Sequence, residues 1–220
     1  MGDITRDQIE IDFNELKVLY QDLRLLREEG DAYIVGDLPF SATYNGNSPI
    51  IDQYKIKILL PKDYPKSPPK LMEFGGRIPK SFHTNPDGTL CLGAPLEVRM
   101  KFNGNLLSYV KELVIPYLYS YSYYEKYGDM PFGELSHGGR GILESYQELF
   151  VLTSSECVLD LLEILATGKF RGHLDCPCGS RMKLRKCHGP QLIQLSNYQT
   201  KFDFINDYND CAILFRKNPL

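Results

Sequence analysis

Phe82-His-Thr-Asn-Pro-Asp-Gly-Thr-Leu-Cys-Leu92 is the stretch from which the rest of the chain is read. Cys91 follows Asn85 by six residues and His83 by eight, with Asn85-Pro86-Asp87-Gly88 between them. That tetrapeptide predicts a chain reversal: proline presets φ, glycine accepts a positive φ, and Asn and Asp side chains bond their own backbone. A reversal there brings the Asn85 side chain back towards the Cys91 sulfur. An amide N–H beside a thiol suits acyl transfer to sulfur, because negative charge develops on the carbonyl oxygen in the tetrahedral transition state. A cysteine after an Asp-Gly turn is also an ordinary small buried hydrophobe, so the turn alone leaves both readings open.

The segment before it narrows the choice. Tyr54, Ile56, Ile58 and Leu60 alternate with Lys55, Lys57 and Leu59, the period-2 pattern of a half-buried strand. Pro61-Lys-Asp-Tyr64-Pro65-Lys-Ser-Pro68-Pro69-Lys70 follows at once, and the cysteine turn comes shortly after. Strand, proline block with its Tyr-Pro, His-x-Asn turn, Cys-Leu and a following helix form an order that resembles the ubiquitin-conjugating enzymes. The resemblance covers residues 12–125. His83-Thr84-Asn85 stands where the family reads His-Pro-Asn, the interval from Asn to Cys is shorter, and the chain has no tryptophan.

The resemblance implies an α+β ubiquitin-conjugating-enzyme-like fold: an N-terminal helix, a four-stranded antiparallel meander and C-terminal helices. It also implies Cys91 as the thioester-forming nucleophile, Asn85 as oxyanion donor or turn-fixing residue, and His83 as a structural member of the site. The residues themselves fit that outline. Asp12 with Glu15 reads as a capping box, Leu16, Leu19, Tyr20, Leu23 and Leu26 keep helical spacing, and Gly30 closes the helix. Strands are predicted at 32–35, 40–44, 54–60 and 71–74, with breaks at Gly36-Asp37-Leu38-Pro39 and Asn45-Gly46-Asn47-Ser48-Pro49. Leu106, Leu107, Val110, Leu113, Val114 and Leu118 predict a helix that Pro116 should bend or interrupt. The tyrosines from 117 to 127 read as packing residues. His137-Gly138-Gly139-Arg140-Gly141 is a loop that brings backbone close to something, though a phosphate cradle lacks its strand and lysine. Thr153 and Glu156 start another helix, which ends at Gly168 and carries Cys157 near its start.

A second constellation lies at the C-terminal end. Cys176-Pro-Cys178 is followed, after an eight-residue loop, by Cys187-His188. Three thiolates and one imidazole are four soft ligands, the number that fills a tetrahedral zinc ion and leaves no open position, hence a structural role. Three thiolates on Zn2+ leave a negative charge that Arg171, Arg181, Lys183, Arg185 and Lys186 would offset. His173 is a possible competitor. The segment looks like the SEC-C motif, a zinc-binding appendix. The expected division is therefore a catalytic domain at 1–168 and a zinc-binding motif with tail at 169–220.

Composition sets the outer bounds. With 220 residues, 43% hydrophobic and 24% charged, the chain is an ordinary globular protein. A net charge of −3 argues against a dedicated nucleic-acid binder. The absence of a leader or a long apolar run gives cytoplasmic localisation and no membrane partner as expectations, and the six cysteines are then thiols or metal ligands.

A conjugating-enzyme core with a SEC-C appendix is similar to the stand-alone E2-like proteins of bacterial CBASS anti-phage operons. That resemblance implies a partner: a cGAS-like nucleotidyltransferase (or a ubiquitin-like protein) whose C-terminal glycine becomes attached to Cys91, priming the nucleotidyltransferase for defence. The competing expectation is an inactive scaffold of the same fold that only binds the partner's tail.

Overall fold

The computed structural model describes residues 2–133 and 136–215, with residues 2–6 described by backbone alone. The chain divides into two compact units, Met1–Gly93 with Val98–Glu134, and Ala94–Glu97 with Leu135–Leu220. The boundary expected at 168/169 thus falls inside the second unit.

The first unit is α+β. Helix α1 (Gly2–Leu19) precedes β1 (Arg24–Glu28), β2 (Asp31–Ala42), β3 (Ile50–Leu60) and β4 (Lys70–Glu73), which form an antiparallel meander in the order β1-β2-β3-β4. In β3 the alternation is realised: Tyr54, Ile56, Ile58 and Leu60 are buried while Lys55 is exposed. The helical region after the cysteine turn begins with α2 (Pro95–Phe102) and α3 (Leu106–Tyr109), continues through a π-helical segment (Val110–Val114) and ends with α4 (Ile115–Tyr127). Leu106, Val110, Leu113, Val114 and Leu118 join the sheet residues in one core.

Three local expectations are corrected. Asp12 is no cap: α1 begins at Gly2, and Asp12 lies inside it, 5% exposed, accepting from Gln8 Nε2 at 2.7 Å and from the Tyr64 hydroxyl. The helix also stops at Leu19 rather than Gly30. Lys17 Nζ donates to the carbonyls of Gln21 and Leu23, each at 2.6 Å, and ties down the exit from the helix. Leu26 then stands in β1. Finally, the two strands expected on either side of Gly36–Pro39 are one continuous β2. Gly36 has φ +147, and a Cβ there would lie 2.3 Å from the Asp22 carbonyl oxygen, so the residue permits a close backbone crossing. β1 reaches only to Val35 in the pairing, so Pro39 sits where β2 has no partner on that side and its missing N–H interrupts no ladder.

Pro116 stands in the first turn of α4, directly after the π-helical segment. The N–H of Ile115 bonds to Val110 across a π-type turn, and this widening accommodates the proline that follows. Gly128 closes α4 with a left-handed φ of 73°.

The second unit is helical. Helices α5 (Gly138–Phe150), α6 (Ser155–Thr167), α7 (Gly189–Leu195) and α8 (Lys201–Ile213) bury Leu143, Phe150, Leu161, Leu162, Phe204 and Cys211. The cap of α6 is Ser154 rather than Thr153, its Oγ accepting from Cys157 N at 3.3 Å. The glycine-rich run at 137–141 opens α5, and two of its glycines serve packing. A Cβ on Gly139 would meet the Asp210 carbonyl oxygen at 2.0 Å, and one on Gly141 the Ser136 oxygen at 2.1 Å. No helix among the described residues is long and apolar enough to cross a membrane.

Candidate functional site

In the first unit the proline block carries the chain from β3 to β4. Tyr64 N donates to Pro61 O at 3.0 Å and Lys66 N to Asp63 O at 2.9 Å, so the block is a succession of tight turns. Tyr64 points inward, 1% exposed, with its hydroxyl on Asp12 and its ring against Phe102. Beyond β4 the chain returns to the sheet: Leu90 N donates to Leu71 O at 2.7 Å, which sets the cysteine segment alongside β4.

The reversal at 85–88 forms. Gly88, at φ +82, donates its N–H to Asn85 O at 2.9 Å, and Asn85 N donates to Thr89 O at 2.7 Å. Thr84 and Leu90 pair as an isolated antiparallel bridge, and Cys91 N donates to His83 O at 2.7 Å. His83 and Cys91 are therefore brought together through the backbone.

The side chains lock the turn. Asn85 Nδ2 donates to Thr89 Oγ1 at 3.0 Å, and Thr89 Oγ1 donates to Asp87 Oδ1 at 2.6 Å. Asp87 also accepts from Thr89 N at 3.0 Å and from Lys70 Nζ at 2.8 Å. The Lys70 ammonium, with the Thr89 hydroxyl and amide, holds the Asp87 carboxyl well below the usual carboxylate range. Asn85 thus has a turn-fixing bond, and one of its two amide hydrogens is committed to Thr89.

Cys91 is half-buried and forms no disulfide. Its own N–H is taken by His83 O, so a developing oxyanion would have to draw on other donors. His83 itself holds φ +38, a left-handed conformation that costs a β-carbon residue energy and persists only when the surroundings enforce it. Its ring lies edge-on to Phe82, 5.1 Å between centroids. The Tyr117 hydroxyl donates to the carbonyls of Phe82 at 3.0 Å and His83 at 3.3 Å. Burial first, and then charge on the nearby Cys91 sulfur, push the Tyr117 phenol up from its ordinary value, so it stays a neutral donor. Neither Tyr117 nor Thr89 was singled out as a site residue from the sequence, because Tyr117 is one of many tyrosines on its helix and Thr89 is an unremarkable turn residue.

In the second unit Cys176, Cys178, Cys187 and His188 lie together, their ligand atoms all within 4.8 Å of one another. The local fold explains how. Asp175 and Lys183 form a β-bridge, Cys176 N donates to Met182 O at 2.8 Å, and Gly179, at φ +78, turns the chain between them. A 3-10 turn at Leu184–Lys186 then delivers Cys187, and His188 stands at the N-cap of α7. A Cβ on Gly189 would lie 2.6 Å from Leu184 O, so only glycine lets the helix start this close to the turn.

The separations suit a shared ion. Cys176 Sγ and Cys187 Sγ are each 3.3 Å from His188 Nδ1, and Cys178 Sγ is 3.5 Å from Cys187 Sγ. Bonds of about 2.3 Å to a tetrahedral centre place ligand atoms roughly 3.8 Å apart. His188 Nε2 lies 3.2 Å from Phe150 O, so its N–H donates there and the Nδ1 lone pair faces the sulfurs. Ser180 Oγ, 3.3 Å from Cys187 Sγ, adds a hydrogen bond to the sulfur set. The four residues could therefore hold a metal ion, and all four positions would come from protein. His173 is exposed and stands outside this cluster. Of the surrounding cations, Lys183 pairs with Asp175 at 2.9 Å.

The remaining cysteines belong to helices. Cys211 is buried, and its thiol is pushed up to about 12 by that burial, followed by the charges of Asp207 and Asp210. Cys157 lies in the first turn of α6, half-buried. Compared with models of protein families, with curated proteins and with solved structures, the chain finds no match in any of the three.

Proposed function

We propose that this protein is an E2-like cysteine enzyme that takes up the C-terminal glycine of a partner protein as a thioester on Cys91. The observation that carries this reading is the setting of Cys91. It is a half-exposed thiol directly after a bonded reversal, its backbone fastened to His83 and its segment fastened to β4 behind a proline block. The Cys91 thiolate attacks the glycine carbonyl, which arrives activated as a thioester or acyl-adenylate. A carbon–sulfur bond forms, the activating group leaves with its electron pair, and the thiol proton passes to solvent. Little base assistance is needed for such an exchange, which accords with a site whose histidine is engaged through its backbone.

The partner in this reading is a cGAS-like nucleotidyltransferase, by the resemblance to the E2-like proteins of CBASS operons, and attachment primes it for anti-phage defence. A slender glycine tail fits a thiol beside a turn closed on itself by Asn85, Asp87 and Thr89. The cluster at 176–188 holds one structural zinc in a SEC-C-like appendix, because three sulfurs and one nitrogen favour zinc and leave no position for a substrate. The ion would screen the converging sulfurs and fasten the hairpin to α7. The test is a covalent species with the activated partner that depends on Cys91 and is cleaved by hydroxylamine.

A further inference from the structure

The geometry points to Tyr117 as the positioning residue of the Cys91 site, through the two carbonyls on which its single hydroxyl proton is shared. Phe82 O and His83 O, at 3.0 and 3.3 Å, are consecutive backbone acceptors. The second of them is the one that receives the Cys91 N–H at 2.7 Å. The carbonyls of the two peptides that flank His83 are therefore both bonded from α4, and the second is bonded from the nucleophile as well. His83 needs such a grip, since its φ of +38 is one that L side chains seldom adopt unaided.

The neighbouring tyrosines show that this contact is particular to Tyr117. Tyr119 donates to Ser48 O at 2.9 Å and Tyr121 to Arg77 O at 2.7 Å. Both are comparable hydrogen bonds from the same helix, and neither hydroxyl bonds the backbone of the 82–91 segment. Tyr121 even packs edge-on against the Phe82 ring, 4.8 Å between centroids, without bonding its backbone. Of these three, Tyr117 alone ties α4 to the cysteine turn. Its role rests on the reading of Cys91 as an acyl acceptor, but the tie itself can be tested without any partner.

Two reactions at Cys91 separate positioning from simple stability. A small unselective electrophile needs only access to the thiol, whereas acyl transfer needs the sulfur held at one place relative to the carbonyl. In full-length Tyr117→Phe the ring and its packing remain and only the tie is lost. Alkylation of Cys91 by iodoacetamide, read by peptide mass spectrometry against Cys157 in the same molecule, should become at least about threefold faster as the turn loosens. Thioester formation with activated partner should fall by about tenfold to a hundredfold in kcat, with KM unchanged. Tyr121→Phe, which removes an equivalent hydroxyl bond, should do neither.

Alkylation within twofold of wild type in Tyr117→Phe overturns the proposal, as does an equal change in Tyr121→Phe. If wild type forms no thioester, the acyl-acceptor reading fails and Tyr117 has no catalysis to position, while the alkylation ratio still decides whether the tie exists. Should Tyr117→Phe not fold, the comparison moves to a His83→Gly background, where glycine adopts the left-handed backbone unaided. There Tyr117→Phe must still raise the Cys91 ratio over His83→Gly alone, and an unchanged ratio rejects the tie.

Discussion

The backbone N–H of Cys91 donates to the carbonyl of His83 at 2.7 Å, and this bond closes the 83–91 loop into a single unit. It also removes from the chemistry the donor nearest the sulfur. If Cys91 accepts an acyl group as proposed, the oxyanion would draw on other donors, and the candidate to test is Asn85, which has an amide hydrogen beyond its Thr89 bond.

Asn85→Ala removes that hydrogen and the turn bond together. Loss of an oxyanion donor slows chemistry by about 10²–10³, so adduct formation should slow on that scale while partner affinity holds. Single-turnover rates set beside a binding isotherm check this. Thr89→Val keeps the Asn85 amide while removing its turn bond, together with the Thr89 hydroxyl's bond to Asp87, and should slow the reaction less. Equal effects of the two variants would assign Asn85 to the turn alone.

The metal cluster makes a separate prediction. Freshly purified protein should carry one equivalent of zinc by elemental analysis. Cys187→Ser should lose it and unravel the segment from Asp175 to α7, because metal binding at such sites contributes about 10–16 kcal/mol of folding free energy in peptides. Chelation should have the same result. Cys91 chemistry should persist in the folded fraction, and a zinc-free protein with unaltered proteolysis of this segment would speak against a structural ion.

Tyr64 and Asp12 couple the proline block to α1. Tyr64→Phe leaves a carboxyl group that is 5% exposed with Gln8 as its remaining side-chain donor among the described residues. The cost of an unsatisfied buried polar group is roughly 1–3 kcal/mol, more where it is charged. Chemical denaturation should place Tyr64→Phe at or above that range. Lys66→Ala, on the exposed surface of the same block, should lie within about 0.5 kcal/mol of wild type.

Asp87 gives the turn a pH limit. Its carboxyl is held below the ordinary value by Lys70 and Thr89. A depressed folded-state value contributes stability above the unfolded pKa of about 3.9, and loses it as pH falls through the folded value. Carboxylate NMR should find Asp87 titrating below an unstructured aspartate, and Lys70→Met should move it upward. An Asp87 that titrates normally in wild type would remove the Lys70 contact from the account.

Much of the first unit was legible because its signals were local. The alternation at 54–60 needed only side-chain period, and Asn85-Pro86-Asp87-Gly88 only turn chemistry. The N-terminal region misled because Leu16, Leu19, Leu23 and Leu26 keep a helical period across a break made by Gln21 and Asp22. β1 is a short, exposed edge strand with no alternation of its own. Gly36 and Pro39 looked like breakers, yet one permits a close crossing and the other sits where pairing has ended. At the site, the turn and the four metal-ligating candidates could be read from spacing. Tyr117 could not, since its contact joins residues more than thirty positions apart and depends on how α4 lies over the turn.

The most direct measurement is intact mass spectrometry of the full-length protein incubated with a cGAS-like nucleotidyltransferase whose C-terminal glycine has been activated. A species with the summed mass of the two unactivated proteins less one water should appear, the activating group having left, and should vanish with hydroxylamine. Cys91→Ala should abolish it, Cys91→Ser should trap a more stable oxyester, and Cys157→Ser and Cys211→Ser should leave it unchanged. An adduct that resists hydroxylamine but is cleaved by a phosphine reductant would be a disulfide. Tight binding with no covalent species would make the protein a scaffold, and either result would contradict a thioester on Cys91.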